Sequence, residues 1–269
     1  MYNVQIIRDS ITEAGHRLTT MEATFPRFIL AEINTHRAFS RNSASSRAIP
    51  TAKLIDSVRK NPFIPAEFLS NKPGMQAGDA PIDQGAALEA WHDAMQAALK
   101  YAEQLAAIGT HKQWANRLLE PYMWHTAIIS ATEWQNFFSQ RCSPMAQPEM
   151  RTIAELMQSA ILNSTPQLLR AGCYHLPYVD ATVSQDDPAH IVQPRLFQSV
   201  ARCARISYNR HQEESSLEAD TILYNRLKRD GHWSPFEHVA VAMGGMVAHT
   251  KSRNFTGFYQ LRAAIDHAP

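Results

Sequence analysis

The chain has 269 residues and a net charge of +1, and 45% of its residues are hydrophobic and 19% charged. This composition is typical of a globular protein with a buried core, and it excludes a mainly disordered chain and a generally basic, non-specific nucleic-acid binder. No run of about 18 apolar residues occurs, so we expect no membrane span. The start lacks an export signal and the three cysteines are widely spaced, which together predict a cytoplasmic protein without disulfides.

Hydrophobic periodicity and helix- or strand-breaking residues predict the following elements in chain order. The first half contains strands at 3–8 and 17–25, a short helix after Pro26, a polar loop at 40–49, a helix from Pro50 to about Lys60, and a surface connection at 61–83. The second half contains helices at 84–108, 111–139, 149–162, 194–206 and 216–229, an irregular stretch at 171–195, and a strand within 238–248. With no internal repeat or clean linker, we expect one α/β (α+β) domain over 1–269, a mixed sheet with several long helices.

Several common catalytic motifs are absent from the sequence. It has no Gly-x-Gly-x-x-Gly loop, no Gly-x-x-x-x-Gly-Lys-Ser/Thr loop and no Gly-x-Ser-x-Gly elbow. His-Glu-x-x-His and Cys-x-x-Cys are also absent, although the chain has 12 histidines. We therefore expect neither a Rossmann dinucleotide site nor a metal site.

Positive charge is concentrated in one stretch of the chain. Between Thr35 and Lys60, six cations and one anion, Asp56, give a local excess of five. Within it, residues 35–47 combine arginines with short hydroxyls, and guanidinium groups, serine hydroxyls and loop amides are donors that bind phosphate. The stretch is either a solvated basic face or a site for a small phosphorylated ligand.

Part of this stretch resembles the signature of the flavin-dependent thymidylate synthases. That signature is Arg-His-Arg-x-x-Ser-x-Asn-Glu-x-Ser-x-Arg-Tyr, and the matching residues here are His36, Arg37, Ser40, Asn42, Ser45 and Arg47. Thr35, Ser43 and Ala48 stand where the family has its first Arg, its Glu and its Tyr.

Four further segments resemble the same family. They are Arg117-Leu118-Leu119-Glu120-Pro121 with Thr126, Asn136-Phe137-Phe138-Ser139-Gln140-Arg141 followed by Ala146-Gln147-Pro148-Glu149-Met150-Arg151, Ala204-Arg205-Ile206-Ser207-Tyr208, and Gly231-His232-Trp233-Ser234-Pro235-Phe236-Glu237-His238. The last block precedes the signature in the family and follows it here, so the sequence resembles a circularly permuted member, which surface termini would allow. The segment Gly257-Phe258-Tyr259-Gln260-Leu261-Arg262 is then a candidate replacement for the family's Gln-x-x-Arg, where this chain has Glu32 and Thr35.

The resemblance implies reductive methylation of dUMP to dTMP on a flavin-dependent thymidylate synthase fold. In that family NADPH reduces FAD, methylenetetrahydrofolate supplies the one-carbon unit, and dispersed side chains hold FAD across the subunit interfaces of a homotetramer. We therefore expect FAD, NADPH and methylenetetrahydrofolate, and dUMP or a related pyrimidine nucleotide as ligand. We expect neither a membrane nor a nucleic acid as partner.

The resemblance also implies roles for individual residues. The nucleotide-binding candidates are Ser45, Arg47, Arg117 and Arg141, of which Arg141 is also the candidate catalytic residue. The flavin-binding candidates are His36, Arg37, Asn42, Asn136, Ser207, His232, Ser234 and Glu237.

Several of these residues have structural alternatives. Arg117 and Arg141 are also suited to surface ion pairs, and Asn42 to a turn. His232 and His238 are equally suited to a buried or helix-capping role. Structural and functional roles do not exclude each other at these positions.

Two other functions stay open at the level of the sequence. The departures at Glu32, Thr35 and Ser43 are compatible with the same flavin chemistry on another pyrimidine nucleotide, such as methylation or hydroxymethylation of dCMP. A non-catalytic protein that binds nucleotides or nucleic acids through residues 35–60 is the alternative from a different class.

Overall fold

A computed structural model of the chain describes residues 1–208 and 215–266. The helices in these ranges are α1 (Leu30–Asn34), α2 (Thr51–Lys60), α3 (Gln84–Ala107), α4 (Lys112–Ala115), α5 (Gln135–Arg141), α6 (Pro148–Leu162), α7 (Ala189–Arg205), α8 (Leu217–Arg229) and α9 (Leu261–Asp266). The strands are β1 (Asn3–Thr12), β2 (Arg17–Pro26), β3 (Ser40–Ser43), β4 (Trp124–Ala131), β5 (Gln167–Leu169), β6 (Tyr174–His175), β7 (Ala240–Ala242), β8 (Lys251–Ser252), β9 (Phe255–Thr256) and β10 (Phe258–Gln260).

The largest sheet is built on the antiparallel pair β1 and β2, which confirms the strands predicted at 3–8 and 17–25. Its strand order is β3-β4-β2-β1-β5. The β1–β5 pair is parallel, whereas the other neighbours are antiparallel. The mixed sheet and the mixed α/β class are therefore confirmed, and a second sheet, β10-β7-β6, lies in the C-terminal part of the chain.

Both faces of the largest sheet are covered. On one face Ile129 lies in a core with Phe137 of α5 and Met157 of α6. On the other face the preceding residue, Ile128, packs against Cys203 of α7. Because successive side chains of a strand point to opposite faces, β4 contributes to both cores.

The helical region predicted at 111–139 is wrong at its centre. Lys112–Ala115 and the 3-10 turn Asn116–Tyr122 are helical, but Trp124–Ala131 is strand β4, between β2 and β3. Most residues of β4 are buried, so its apolar residues run without the alternation that marks a half-exposed strand. A short apolar run of this kind cannot be told from a buried helix by periodicity.

The polar loop predicted at 40–49 is also partly wrong, because Ser40–Ser43 forms the edge strand β3. Its backbone pairs with residues 127–130 of β4. An edge strand has one unpaired side and tolerates polar side chains, so the serines and the asparagine that indicated a loop are compatible with a strand here. Residues 44–49 remain outside regular strands and helices.

The C-terminal half departs from prediction in two further places. The strand expected within 238–248 covers only Ala240–Ala242, because Gly244 and Gly245 end it. A Cβ at Gly244 would lie 2.5 Å from the Cβ of Ala171, and Gly245 has a φ of +58°. The irregular stretch predicted at 171–195 contains β6 and the start of α7, which begins before the predicted residue 194.

A chain of buried hydrogen bonds joins the C-terminal part to the largest sheet. Ser10 Oγ lies 2.8 Å from His175 Nδ1, and His175 Nε2 lies 2.8 Å from Thr20 Oγ1. Thr20 Oγ1 lies 2.6 Å from Ser130 Oγ, which in turn lies 2.8 Å from His238 Nδ1. All five side chains are buried. Leaving a buried polar group without a hydrogen bond costs folding free energy. This series of hydrogen bonds therefore fixes where residues 175 and 238 pack on the sheet.

The helices of residues 1–208 and 215–266 include none that is both long and apolar enough to cross a membrane.

Lowering the pH below 6.5 is expected to destabilise the fold. Burial lowers the pKa of His238 to about 3, and burial together with Arg27 lowers that of His125 to about 3. The pKa of His175 is also well below its usual value because of burial. The unfolded chain binds these protons near pH 6.5 and the folded chain does not, so stability is full above pH 6.5 and falls as the pH drops toward 3. Urea denaturation at about pH 7.5 and about pH 5 measures the loss, about 1.4 kcal/mol per histidine and pH unit.

Two variants control this prediction. His238→Asn offers an acceptor near the position of Nδ1 but does not titrate, so its stability should depend less steeply on pH. The exposed His190 supplies the matched control, His190→Gln, whose pH dependence should equal that of the wild type. Equal wild-type stability at the two pH values would contradict the account.

Candidate active site

Asn42, on the edge strand β3, joins segments that are far apart in the sequence. Its Nδ2 donates to the backbone oxygen of Cys203 at 2.7 Å, and its Oδ1 accepts from Ser207 Oγ and from Ser234 Oγ, each at 3.4 Å. The backbone N–H of Ser45 donates to the carbonyl oxygen of Ser207 at 3.0 Å. Three predicted flavin-binding residues, Asn42, Ser207 and Ser234, are thus brought together.

A cleft of about 980 Å³ lies beside this junction. Four of the predicted flavin-binding residues line it, namely Asn42, Ser207, His232 and Ser234. The cleft wall also has apolar side chains and further polar ones, including Leu223, Leu227, Pro235, Ser215, Ser216 and Arg226. Its surface therefore combines hydrogen-bond donors with apolar side chains.

Gln260 links the C-terminal segment to the same strand. Its Nε2 donates to Ser40 Oγ at 2.9 Å and to the backbone oxygen of Glu237 at 2.8 Å, and its side chain is buried. Burial raises the pKa of the Glu237 carboxyl, an effect that Arg262, 3.7 Å away, and Arg41 partly offset. Residues 257–262 thus reach the signature strand, and their replacement of the family's Gln-x-x-Arg stays a prediction.

Arg141, the candidate catalytic residue, contacts His36 of the signature. Its Nε donates to His36 Nε2 at 2.9 Å, and the His36 ring packs edge-on against Phe137, with ring centroids 4.8 Å apart. Burial, then the charges of Arg141 and Arg41, lower the pKa of His36. The hydrogen-bond partner of Arg141 is thus a histidine ring, whereas the structural alternative expected the carboxylate of a surface ion pair.

Glu120 gathers a second cluster around the other nucleotide-binding candidates. Its Oε1 accepts from Ser46 Oγ at 2.8 Å and lies 3.3 Å from both Arg27 Nη2 and Arg117 Nη1. Arg117 is exposed, so its pairing with Glu120 matches the alternative of a surface ion pair. Arg47, next to Ser46, is exposed as well.

Two side chains fix the loop that carries Ser45 and Arg47 by hydrogen bonds to its backbone carbonyls. Asn116 Nδ2 donates to the carbonyl oxygens of Ser46, at 2.5 Å, and Ile49, at 2.9 Å, and Lys112 Nζ donates to that of Ala48 at 2.7 Å. Sequence reasoning missed Asn116 and Glu120. The signal for Glu120 was its position, because the family has Leu at the corresponding place before Pro121.

Four predicted flavin-binding residues lie outside the cleft lining: His36 and Glu237, described above, and Asn136 and Arg37. Asn136 is exposed on α5 and lines a separate groove with Thr19 and Glu133. Arg37 is exposed on the segment between α1 and β3. Among the residues that the structure describes, no group of three or more His, Cys, Asp or Glu is placed to hold a metal ion.

Comparison with known families decides the relationship. Residues 10–167, more than half of the chain, match the family model described as thymidylate synthase complementing protein, Thy1. The chain belongs to this family. The resemblance to flavin-dependent thymidylate synthases is therefore confirmed. The match includes the 35–47 signature, and the 231–238 block lies outside it.

Two solved structures are also similar to this chain. One is the UMP/dUMP methylase PolB from Streptomyces cacaoi bound with 5-Br UMP, with 17% identity and a TM-score of 0.48 over 60% of this chain and 88% of that chain. The other is the same enzyme bound with 5-Br dUMP, with 14% identity and a TM-score of 0.48 over 60% of this chain and 90% of that chain. No curated protein matches the sequence.

Removing the Asn42 amide is expected to destabilise the junction. Asn42→Ala leaves the buried Cys203 carbonyl without its donor, which costs about 1–3 kcal/mol of unfolding free energy. The control, Asn136→Ala on the exposed face of α5, should change stability by less than about 0.5 kcal/mol. Chemical denaturation measures the unfolding free energy of both variants. Equal losses in the two variants would contradict a stabilising role of the Asn42 amide at the junction.

Proposed function

We propose that this protein is a flavin-dependent methylase of pyrimidine nucleotides that converts dUMP to dTMP. The observation that carries the proposal is the junction at Asn42. Residues of the 35–47 signature, the 204–208 block and the 231–238 block, widely separated along the chain, meet beside one cleft. Their meeting supports one ligand site in spite of the permuted order of the blocks.

The cleft has the properties that an FAD site needs. Its volume of about 980 Å³ lies at the upper end of the range for small-molecule sites, about 300–1,000 Å³, which suits a dinucleotide. The hydroxyls of Ser207 and Ser234 and the cation of Arg226 are donors for a pyrophosphate. Leu223 and Leu227 offer apolar surface to a flat ring. The lining also includes the Asp230 carboxylate, whose charge is paired with Arg229 at 2.8 Å, so the donors and apolar side chains present fit the flavin.

When bound, FAD supplies the reducing equivalents that turn the one-carbon unit into a methyl group. The protein's own part is to bind and orient the reactants. In this proposal Asn42, Ser207, His232 and Ser234 hold the flavin in the cleft. Glu237, whose backbone is fixed by Gln260, stands beside this group. Arg37 and Asn136 require a bound ligand or a second subunit to reach the flavin.

The substrate side of the site is assigned to the arginines. Ser45, Arg47 and Arg117 bind the phosphate of dUMP, since guanidinium groups and short hydroxyls are its preferred donors. Arg141, held by His36, contacts the pyrimidine base and stabilises negative charge that develops on a base oxygen during methyl transfer. Excluding water from these contacts strengthens them.

The remaining parts of the proposal follow from family membership. NADPH is the reductant, methylenetetrahydrofolate donates the one-carbon unit, and a homotetramer completes the flavin site in the cytoplasm. These assignments depend on the proposed activity.

One experiment tests the activity and its alternatives together. The purified protein should be yellow, NADPH should bleach its flavin absorbance, and dUMP with methylenetetrahydrofolate should yield dTMP by mass spectrometry. A parallel reaction with dCMP identifies a methylated or hydroxymethylated cytosine product. A colourless protein that neither binds added FAD nor alters either nucleotide would overturn the proposal, and salt-sensitive binding of oligonucleotides would favour a non-catalytic role.

Loss of one phosphate-binding arginine should weaken nucleotide binding specifically. Arg47→Ala is expected to raise the KM for dUMP about tenfold or more, since a charge-assisted hydrogen bond contributes about 1.5–3 kcal/mol. The exposed Lys60, from the same basic stretch, provides the control Lys60→Ala, which should leave the KM unchanged. Equal KM changes in the two variants would indicate general electrostatic attraction instead of a defined contact.

A further inference from the structure

The hydrogen bond between Arg141 and His36 can form in only one protonation state of the His36 ring. A guanidinium has donors and no acceptor, so the 2.9 Å bond between Arg141 Nε and His36 Nε2 requires a lone pair on Nε2. The ring must therefore be neutral, with its proton on Nδ1. A protonated His36 has no acceptor and would place a third cation beside two arginines.

Several contacts hold the His36 ring in place. Phe137, from α5, meets the ring edge-on at 4.8 Å, and Phe39 lies 5.8 Å from it between centroids. Both phenylalanines are buried. Arg41 Nη1 donates to the backbone oxygen of His36 at 2.8 Å and fixes the main chain. These contacts fix the position of His36 Nε2, which accepts the hydrogen bond from Arg141 on α5.

We propose that His36 is a positioning residue that orients Arg141 for the nucleotide. The bond occupies Nε of the guanidinium, whereas the fork of Nη1 and Nη2 is the part that pairs with oxygen atoms of a ligand. This role rests on the proposed function and differs from the flavin contact that the family resemblance implies for His36.

The proposal has a consequence for pH dependence. The charged groups that act on His36 are Arg141 on α5 and Arg41 on β3, and both are cations. Together with burial they lower the pKa of His36 below 6.5, so the acceptor persists at neutral pH. Nucleotide turnover should be level from about pH 8 to about pH 6.5 and should fall only at lower pH, where the ring gains a proton.

Two variants of His36 separate positioning from packing and from flavin binding. His36→Gln places an amide oxygen, an acceptor that does not titrate, near the position of Nε2. His36→Phe keeps an aromatic ring against Phe137 and has no acceptor. For each variant kcat and KM for dUMP are measured from about pH 5 to about pH 8, and flavin content is read from absorbance.

The expected result is a divergence between the two variants. His36→Gln should keep kcat within a few-fold of the wild type and lose the acid limb. His36→Phe should lower kcat about 100-fold at every pH, as misplacement of a reacting group does, with unchanged flavin content. Loss of flavin in both variants would overturn the proposal, as would an acid limb that persists in His36→Gln at pH values where circular dichroism shows this variant folded.

A separate measurement keeps this result distinct from failure of the proposed function. If the wild type alters no nucleotide, the proposed function fails, and ¹⁵N NMR of the histidine rings then decides the positioning role. The pairing predicts an Nδ1–H tautomer for His36 and a titration midpoint that rises when Arg141→Gln removes the neighbouring charge. An Nε2–H tautomer, or a midpoint that does not move, would exclude the pairing.

Discussion

The side-chain amide of Asn42 is the interaction on which the site depends. It lies on the edge strand of the sheet, and an edge strand has one side that no other strand pairs. Here the end of α7 and the 3-10 turn Ser234–Glu237 lie against that strand, and the amide bonds to both. A strand that looks like a loop in the sequence becomes the place where the N-terminal and C-terminal parts of the chain meet.

The permuted order of the family blocks is understandable in these terms. The cleft needs the 35–47 signature and the 231–238 block side by side, and the order in which the chain supplies them is irrelevant to the contacts. Three sets of contacts keep them together: the Asn42 junction, the Gln260 bonds to Ser40 and Glu237, and the buried chain that ends at His238. Apart from the exposed Ser234, the polar groups of these contacts are buried or half-buried, so they favour one specific arrangement.

Local patterns predicted the N-terminal hairpin and most helices, because the sequence of each of these elements has a clear hydrophobic periodicity and is bounded by helix- or strand-breaking residues. They failed at Trp124–Ala131, where burial on both faces removes the alternation of a strand, and at Ser40–Ser43, where pairing with β4 outweighs composition. Motif resemblance found Asn42, Ser207 and Ser234, and the structure brings them together. It missed Asn116, whose role arises only from contacts with the loop at Ser46, and Glu120, whose one signal was its departure from the family's Leu before Pro121.

The two arginine groups of the site differ in how their charge is held. Arg117 is paired with the Glu120 carboxylate, so in the proposed function the phosphate of the nucleotide must compete with Glu120 for it. Arg141 is paired with a neutral ring, which orients the guanidinium and leaves its charge uncompensated by that contact. The first arrangement suits reversible binding of a substrate, and the second suits stabilisation of charge that develops during a reaction.

In the proposed function the cleft at Asn42 holds the flavin. A crystal structure of the protein with FAD tests it most directly. We expect electron density for FAD in this cleft, with Asn42 or the hydroxyls of Ser207 and Ser234 within hydrogen-bonding distance. FAD density elsewhere on the protein, with the cleft at Asn42 empty, would contradict it.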